Sequence, residues 1–487
     1  MTAVLDASST DETRARGRPA SRARRILALV CAAQFMLVAD DTIVNVALPS
    51  IRSDLGFDAG DLAWVVDAYL LMFGGFLLVG GRAVDRIGRR AVFLGGVALF
   101  TLVSLLCGLA PGQGSLIGAR GVQGLSGAIV SPAALAILLA TFPEGPQRTR
   151  ALGVWGAIVG LAGASGVLLG GFITELLGWR WVFLVNVPIG IAVIVAALRV
   201  IPAGRPPKRG SLDLPGAALV TSGLLLLLFS VMETRTHDWT SARTLGGLGI
   251  AAALLAAFAL HERRTADPLL PGALLRRRAA MAALALVLMG AAALFAMFFF
   301  LTLYMQNVQG WSAIETGLAW MPFSASLLTT SAVLLKLLPG SRLRPFLVLG
   351  CLLTTGGFVL LTGLDAGEAF VTGMLPAEIA LGIGIGLLLV PTQAAATAGV
   401  GQAFSGMAAG LISTCQQLGG AIGIAVLVTI ATSRTTGLLE SGVDPLSATV
   451  SGYSTAFWVG AGLTAAATVV ALLLGPMRAP REPVTVA

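Results

Sequence analysis

The chain has 487 residues, of which 56% belong to the set AVILMFWYC and only 11% are charged, against about 25% charged in a soluble domain. An ordinary soluble enzyme is excluded by that balance. The net charge of +8 is scattered between apolar runs instead of gathered on one tail, which excludes nucleic acid as the partner.

In chain order, residues 1–25 are rich in Ser, Thr, Asp and Arg, and this composition predicts a disordered arm. Fourteen predominantly apolar stretches of about 20 residues follow, each long enough to cross a bilayer. Their predicted limits are 26–48, 62–81, 91–110, 115–140, 151–173, 181–200, 214–232, 244–260, 279–304, 313–335, 345–364, 370–394, 406–431 and 452–475. A backbone in lipid must satisfy its own hydrogen bonds, and runs of this length do so as helices, not barrel strands. The fold class is therefore an all-α, polytopic membrane protein. Cys31, Cys107, Cys351 and Cys415 lie inside these runs and read as small hydrophobes, not as a disulfide or metal framework.

The basic residues test the topology independently. Of 32 Lys and Arg, 26 fall in segments on one side of such a chain, 5 fall on the other, and Arg120 lies within the fourth span. The richer side is cytoplasmic by the positive-inside rule, which puts both termini there. A nine-residue basic stretch, 82–90, follows the second span, and another, Lys336 to Arg344, holds the equivalent place in the last six. The chain thus reads as two pseudo-symmetric six-helix bundles, 26–200 and 279–475, with a linker at 201–278 that holds spans seven and eight, and a cytoplasmic tail at 476–487. Repeats of this kind are the usual build of secondary transporters.

No G-x-x-x-x-G-K-[ST] phosphate loop occurs, since neither Lys208 nor Lys336 follows a glycine. Gly163-Ala164-Ser165-Gly166 has no histidine within reach to act as a base, and His261-Glu262 lacks the second histidine of a zinc site. No enzyme activity, cofactor or metal is expected. Ionisable residues inside spans are the informative ones, because each is costly at the bilayer centre and normally faces a wet cavity. They are Asp40 and Asp41 in the first span, Asp67 in the second, Arg120 in the fourth and Glu378 in the twelfth. At a rise of about 1.5 Å per residue all five lie in the outer half, Asp40 and Glu378 roughly 12 Å deep and Asp67 and Arg120 roughly 8 Å. A carboxylate and a guanidinium at matching depth can neutralise one another. Asp67, Arg120 and Glu378 are also near enough to the interface to snorkel, which leaves a purely structural reading of them open. Gln34, Asp41 and Asn45 share one helical stripe, and Asp40 points about 100° away from Asp41.

Several segments resemble one family. Ala39 to Pro49 (ADDTIVNVALP) is similar to the first-span signature of the fourteen-span drug:proton antiporters of the major facilitator superfamily, with Ala39 where leucine is usual. Trp64 to Tyr69 (WVVDAY) resembles the start of their second span. Gly81 to Arg90 (GRAVDRIGRR) resembles the superfamily's loop motif, and Arg120 to Gly124 (RGVQG) its fourth-span motif. Gly166 to Gly171 (GVLLGG) resembles the fifth-span antiporter motif, with Val167 where proline is common, and Trp179 to Gly190 the segment after it. The resemblance implies the major facilitator fold and a bacterial-type inner-membrane exporter, powered by the proton motive force, for hydrophobic or amphipathic small molecules such as antibiotics. A narrow metabolite transporter is the alternative.

On that basis Asp40 is expected to carry the proton, with Arg120 as its electrostatic partner and Asp67 as a further coupling acid. Asp41, Glu378, Gln34, Asn45, Trp64, Tyr69, Tyr304 and Trp320 are candidates to line the substrate cavity. Gly81, Asp85, Arg86, Gly88 and Arg89 in the loop, and Gly166, Gly170 and Gly171 in span five, are expected to govern conformational change. In the loop, Gly81 and Gly88 allow a tight reversal and Asp85 can receive a helix N-terminus or an arginine. The glycines at 156, 160, 163, 166 and 170 leave one face of span five without side chains, so neighbours can approach closely. The expected partners are a small organic molecule, protons and the bilayer, with the chain acting as a monomer.

Overall fold

The computed structural model describes residues 6–57, 59–143, 145–202, 213–234, 237–265, 278–337, 341–397 and 405–473. The expected tail at 476–487 and parts of the linker, 203–212 and 266–277, lie outside the described residues. Every element in the described residues is helical. Thirteen helices are long and apolar enough to cross a membrane, and a bent fifth segment brings the number to fourteen. The apolar runs become helices because the N–H of each residue meets a carbonyl four residues back, leaving no polar backbone for lipid to solvate.

The first helix runs Asp6–Leu55. Residues 6–25, predicted as a disordered arm, are thus helical and continuous with span one: the apolar span supplies the nucleus, and the Arg and Ala of the arm propagate it. Spans two, three and four are Trp64–Ile87, Arg89–Gly108 and Gln113–Thr141. Span five is Pro146–Leu177 and bends by 43° between Gly163 and Leu168. No proline is needed there: Ser165 turns its hydroxyl back onto the Leu161 carbonyl at 2.7 Å, and such back-bonding beside glycines bends helices. Span six is broken at Val185 into Arg180–Leu184 and Asn186–Val200. Spans seven and eight are Leu214–Glu233 and Ala242–Glu262.

The second set begins with Arg278–Leu303, which ends in a π-turn over Tyr304–Val308. Span ten is divided at Trp320 into Ala313–Ala319 and Met321–Leu337. Leu343–Leu361, Met374–Thr397, Ser405–Glu440 and Pro445–Leu473 complete the set. Pairing repeats between the sets: one packs on five as nine packs on thirteen, two on four as ten on twelve, three on four as eleven on twelve, and three on six as eleven on fourteen. The halves meet along two seams, span two against thirteen and span five against ten. Arg22 donates to the Val200 carbonyl and Arg90 to the Leu198 carbonyl, so the starts of spans one and three share one end of the bundle with the end of span six.

The added pair covers the first seam. Span seven packs on both span two and span thirteen, with Leu225 and Leu228 over Gly75 and Gly74, where a Cβ would leave them no room. Leu78, Val220, Leu224 and Phe258 form a small core there, flanked by Leu411 and Leu418. Trp239, just before span eight, donates to the Thr429 hydroxyl of span thirteen at 2.7 Å.

Candidate functional site: a buried acid and guanidinium network

Arg120 is fully buried in span four, and its Nη1 donates to Asp40 Oδ2 at 2.8 Å with both side chains inaccessible. Its Nη1 also reaches Gln123 Oε1 at 2.7 Å, and its Nε donates to the Val65 carbonyl of span two at 2.8 Å. Asp40 Oδ1 accepts from Gln123 Nε2 at 3.0 Å and from Asn186 Nδ2 at 2.6 Å. Gln123 donates further to Ser104 of span three at 2.9 Å. One carboxylate therefore ties spans one, four and six together, and its partners reach spans two and three. The guanidinium lies over the Tyr69 ring at 4.4 Å and approaches the Phe183 ring at 5.7 Å, where the ring faces add attraction for a cation.

Local structure explains the placement. Gln123 follows Arg120 by three positions and so lies on the same helix face. Asn186 opens the second part of span six, just after the interruption at Val185 and two residues before Pro188. Gly124 lets span four lie directly on span two, since a Cβ there would strike the Tyr69 carbonyl oxygen. Ser104 had no place in the reading of the sequence, and Gln123, Phe183 and Asn186 entered it only as members of quoted motifs, with no role assigned. The available signals were an asparagine inside the apolar run FLVNVPIG and the three-residue spacing of Arg120 and Gln123.

The adjacent acids differ as the 100° offset predicts. Asp41 is half-buried, interacts electrostatically with Arg120 and Tyr69, and has an enclosed Oδ1 with no hydrogen-bond partner. Gln34 on the same stripe is buried with its Oε1 likewise unpartnered, while Asn45 is exposed and donates to the Asp41 carbonyl at 2.9 Å. Asp67 is buried in span two, two positions beyond Val65.

The aromatic candidates are engaged within the protein. Trp64 stacks on Phe229 of span seven, with centroids 6.0 Å apart. Tyr69 is buried beneath Arg120. Tyr304 is fully buried in the second half, and its hydroxyl donates to the Asp365 carbonyl at 2.6 Å. Trp320 packs with Phe298 and Phe323 at 4.4 and 5.7 Å. Glu378 lies in the second half, far along the chain from the Asp40 network, and is fully buried.

The conformational motifs sit at contacts between helices. Of the two glycines expected to make the tight reversal, Gly88 does so, with φ of 111° as span two ends and span three begins, whereas Gly81 lies inside the helix of span two, which runs on to Ile87. Asp85 Oδ2 accepts from the Met407 backbone N–H at 2.9 Å, at the start of span thirteen, so the first half's loop grips a helix N-terminus of the second. Arg86 and Arg89 flank this contact and are half-buried. Gly81 lies 3.4 Å from where a Cβ on Gly410 would stand. The glycines of span five serve two neighbours: a Cβ at 156 or 160 would meet Leu389 or Leu327 of the second half, whereas one at Gly166 or Gly170 would press on Thr42 or Ile43 of span one. Gly171 is buried on the same helix.

The profile of the Major Facilitator Superfamily matches residues 30–424. Similar curated proteins include the cephamycin export protein CmcT of Amycolatopsis lactamdurans, 43% identical over 90% of this chain and 90% of that one. The puromycin resistance protein pur8 of Streptomyces alboniger is 38% identical over 92% and 90%. Among solved structures, the proton:xylose symporter XylE superposes with a TM-score of 0.64 at 13% identity, covering 95% of this chain and 98% of that one, a likeness of fold.

Proposed function

From the premise that the chain belongs to the major facilitator superfamily, and is therefore a multi-pass membrane transporter and not an enzyme, we propose that it exports hydrophobic or amphipathic small organic molecules, antibiotics among them, in exchange for protons. The export and resistance roles printed for its relatives support the direction and the class of cargo. The arginine distribution supports placement in the inner membrane with both termini cytoplasmic. The observation that bears most on coupling is the sealed Asp40–Arg120 pair, held at both carboxylate oxygens.

Arrival of a proton at Asp40 removes the negative partner of a buried guanidinium, and an uncompensated buried charge is unstable by about 3–5 kcal/mol. Arg120 then turns toward another acid whose charge it already feels, Asp41, and the helices tied through Asp40 become free to shift. That differential stabilisation biases the bundle between its two open forms. Asp67, Asp41 and Gln34 contribute along the water-accessible route.

Everted vesicles test the reading. Respiration is expected to drive drug accumulation, a protonophore that spares ATP to abolish it, and Asp40→Asn to reduce proton-driven accumulation at least tenfold. Accumulation that survives the protonophore rejects antiport, and wild-type accumulation by Asp40→Asn rejects the assignment of the proton to that residue.

A further inference from the structure

Span six ends among arginines. Arg22 donates to the Val200 carbonyl at 3.1 Å and Arg90 to the Leu198 carbonyl at 2.9 Å, so carbonyls left free at the end of that helix are met, and its negative pole attracts both cations. Capping accounts for these two. It does not account for Arg25 and Arg199, which among the described residues neither donate to a carbonyl nor pair with a carboxylate. Both nevertheless line the same open cleft as Arg22, together with Ser21 and Val200, a space of about 310 Å³. At about 30 Å³ per water it holds a polar group the size of roughly ten waters. Its walls carry three guanidiniums and no acid, so the cations repel one another until an anion stands between them.

The cleft lies at the edge of the hydrocarbon. Arg25 directly precedes the first apolar run, and Arg199 stands in the last turn of span six. Ile191, Val195 and Arg199 follow one another at steps of four and share a helix face. Both apolar residues are exposed, so an apolar track leads along span six to the guanidiniums. On span one, which packs against this part of span six, Arg25, Ala28 and Ala32 are exposed on a common face in the same way. A free anion would use the cleft alone, whereas the tracks below it suit a molecule with a charged head and an apolar tail. A guanidinium grips phosphate oxygens through paired N–H groups. A head that also carries an ammonium brings a cation against the arginines, so a head of net negative charge is favoured.

We infer that Arg22, Arg25 and Arg199 form a binding site for the phosphodiester head of an anionic phospholipid, with an acyl chain lying along Ile191 and Val195. The site is apart from the Asp40 network and does not depend on the exchange of protons. A lipid seated there joins the start of span one to the end of span six, the helices that also meet deep in the bundle through Asp40 and Asn186.

The test is native mass spectrometry of the purified full-length chain in detergent, given equal amounts of dioleoylphosphatidylglycerol and dioleoylphosphatidylcholine. Wild type is expected to retain the anionic lipid at least tenfold over the zwitterionic one, and the anionic lipid alone to raise its unfolding temperature by several degrees. Arg25→Gln with Arg199→Gln removes two charges that hold no carbonyl; it is expected to unfold at the wild-type temperature without lipid, to lose the preference at least fivefold and to lose the thermal shift. Arg263→Gln with Arg264→Gln, the same change of charge at exposed positions just beyond span eight, leaves both readouts as in wild type, and excess inorganic phosphate leaves the lipid bound. The inference is overturned if wild type shows no preference, if the substitutions at Arg25 and Arg199 keep it, or if the two double variants lose it equally. Displacement of the lipid by inorganic phosphate also overturns it, since the cleft would then serve a free anion. No gradient is present, so failure here is distinct from failure of antiport, which leaves lipid retention intact and abolishes gradient-driven efflux.

Discussion

Asp40 accepts from three side chains on spans four and six, so each partner can be weighed by removal. Arg120→Ala leaves a buried carboxylate with two amide donors but no counter-charge and is expected to cost about 3–5 kcal/mol, whereas Asn186→Ala removes one donor and costs about 1–3 kcal/mol. Thermal unfolding of the purified variants ranks them, and a smaller loss for Arg120→Ala than for Asn186→Ala would show that the ion pair does not anchor the bundle. Asp41→Asn is expected to leave the unfolding temperature within a degree or two of wild type, since its Oδ1 holds nothing in place. The meeting of Asp40 and Arg120 was legible in the resemblance of the first- and fourth-span motifs; depth alone would have matched Arg120 with Asp67, since both lie roughly 8 Å deep. Asn186 was not foreseen in this role, since it meets Asp40 across 146 positions and nothing in an apolar run says which neighbour a single asparagine will face. Nor did the sequence tell that Trp64 is taken up by Phe229, a residue of the added pair.

Among the elements, span five shows how a single glycine pattern does several things. The even spacing predicts one bare face, but two glycines receive leucines of the other half and two lie against span one at Thr42 and Ile43, beside the paired acids. Gly166→Leu is expected to force span five off span one, lowering the unfolding temperature by several degrees and abolishing transport. Gly163→Ala meets no atom within 4 Å and is expected to be silent in both measurements; equal damage from the two would mean that helix bending, not close approach, is what those glycines supply. Existence and order of the spans were readable because apolar length is decisive in a bilayer. The interruptions at Val185 and Trp320 had a signal that went unused, since Pro188 and Pro322 follow them closely and lack the N–H that would bond the carbonyl four residues back; the π-turn after Leu303 had none.

At the scale of the whole molecule, the halves touch at the loop end through Asp85 on the Met407 N–H and through Gly410 on Leu77, whose carbonyl oxygen would stand 2.8 Å from a Cβ there. Transport by rocking requires this contact to part. Asp85→Ala, which removes the acceptor of the Met407 N–H without adding bulk, is expected to lower efflux several-fold with the unfolding temperature within a few degrees of wild type; undiminished efflux would place the moving boundary elsewhere. The duplicated plan, read from two matching nine-residue basic stretches, extends to the pairing of helices, since equal spacing of like spans demands like neighbours. The seat of spans seven and eight had no such signal, for their apolar faces are equally suited to lipid.

That seat has a consequence for molecules dissolved in the bilayer. Of the two clefts between the halves, the one bounded by spans two and thirteen is roofed by span seven, with leucines set into Gly74 and Gly75. A greasy solute diffusing in the leaflet meets a wall on that flank, whereas the opposite seam, where Leu327 of span ten fills the place beside Gly160 of span five and Leu168 that beside Gly317, is closed by the two halves alone, with no added helix over it among the described residues.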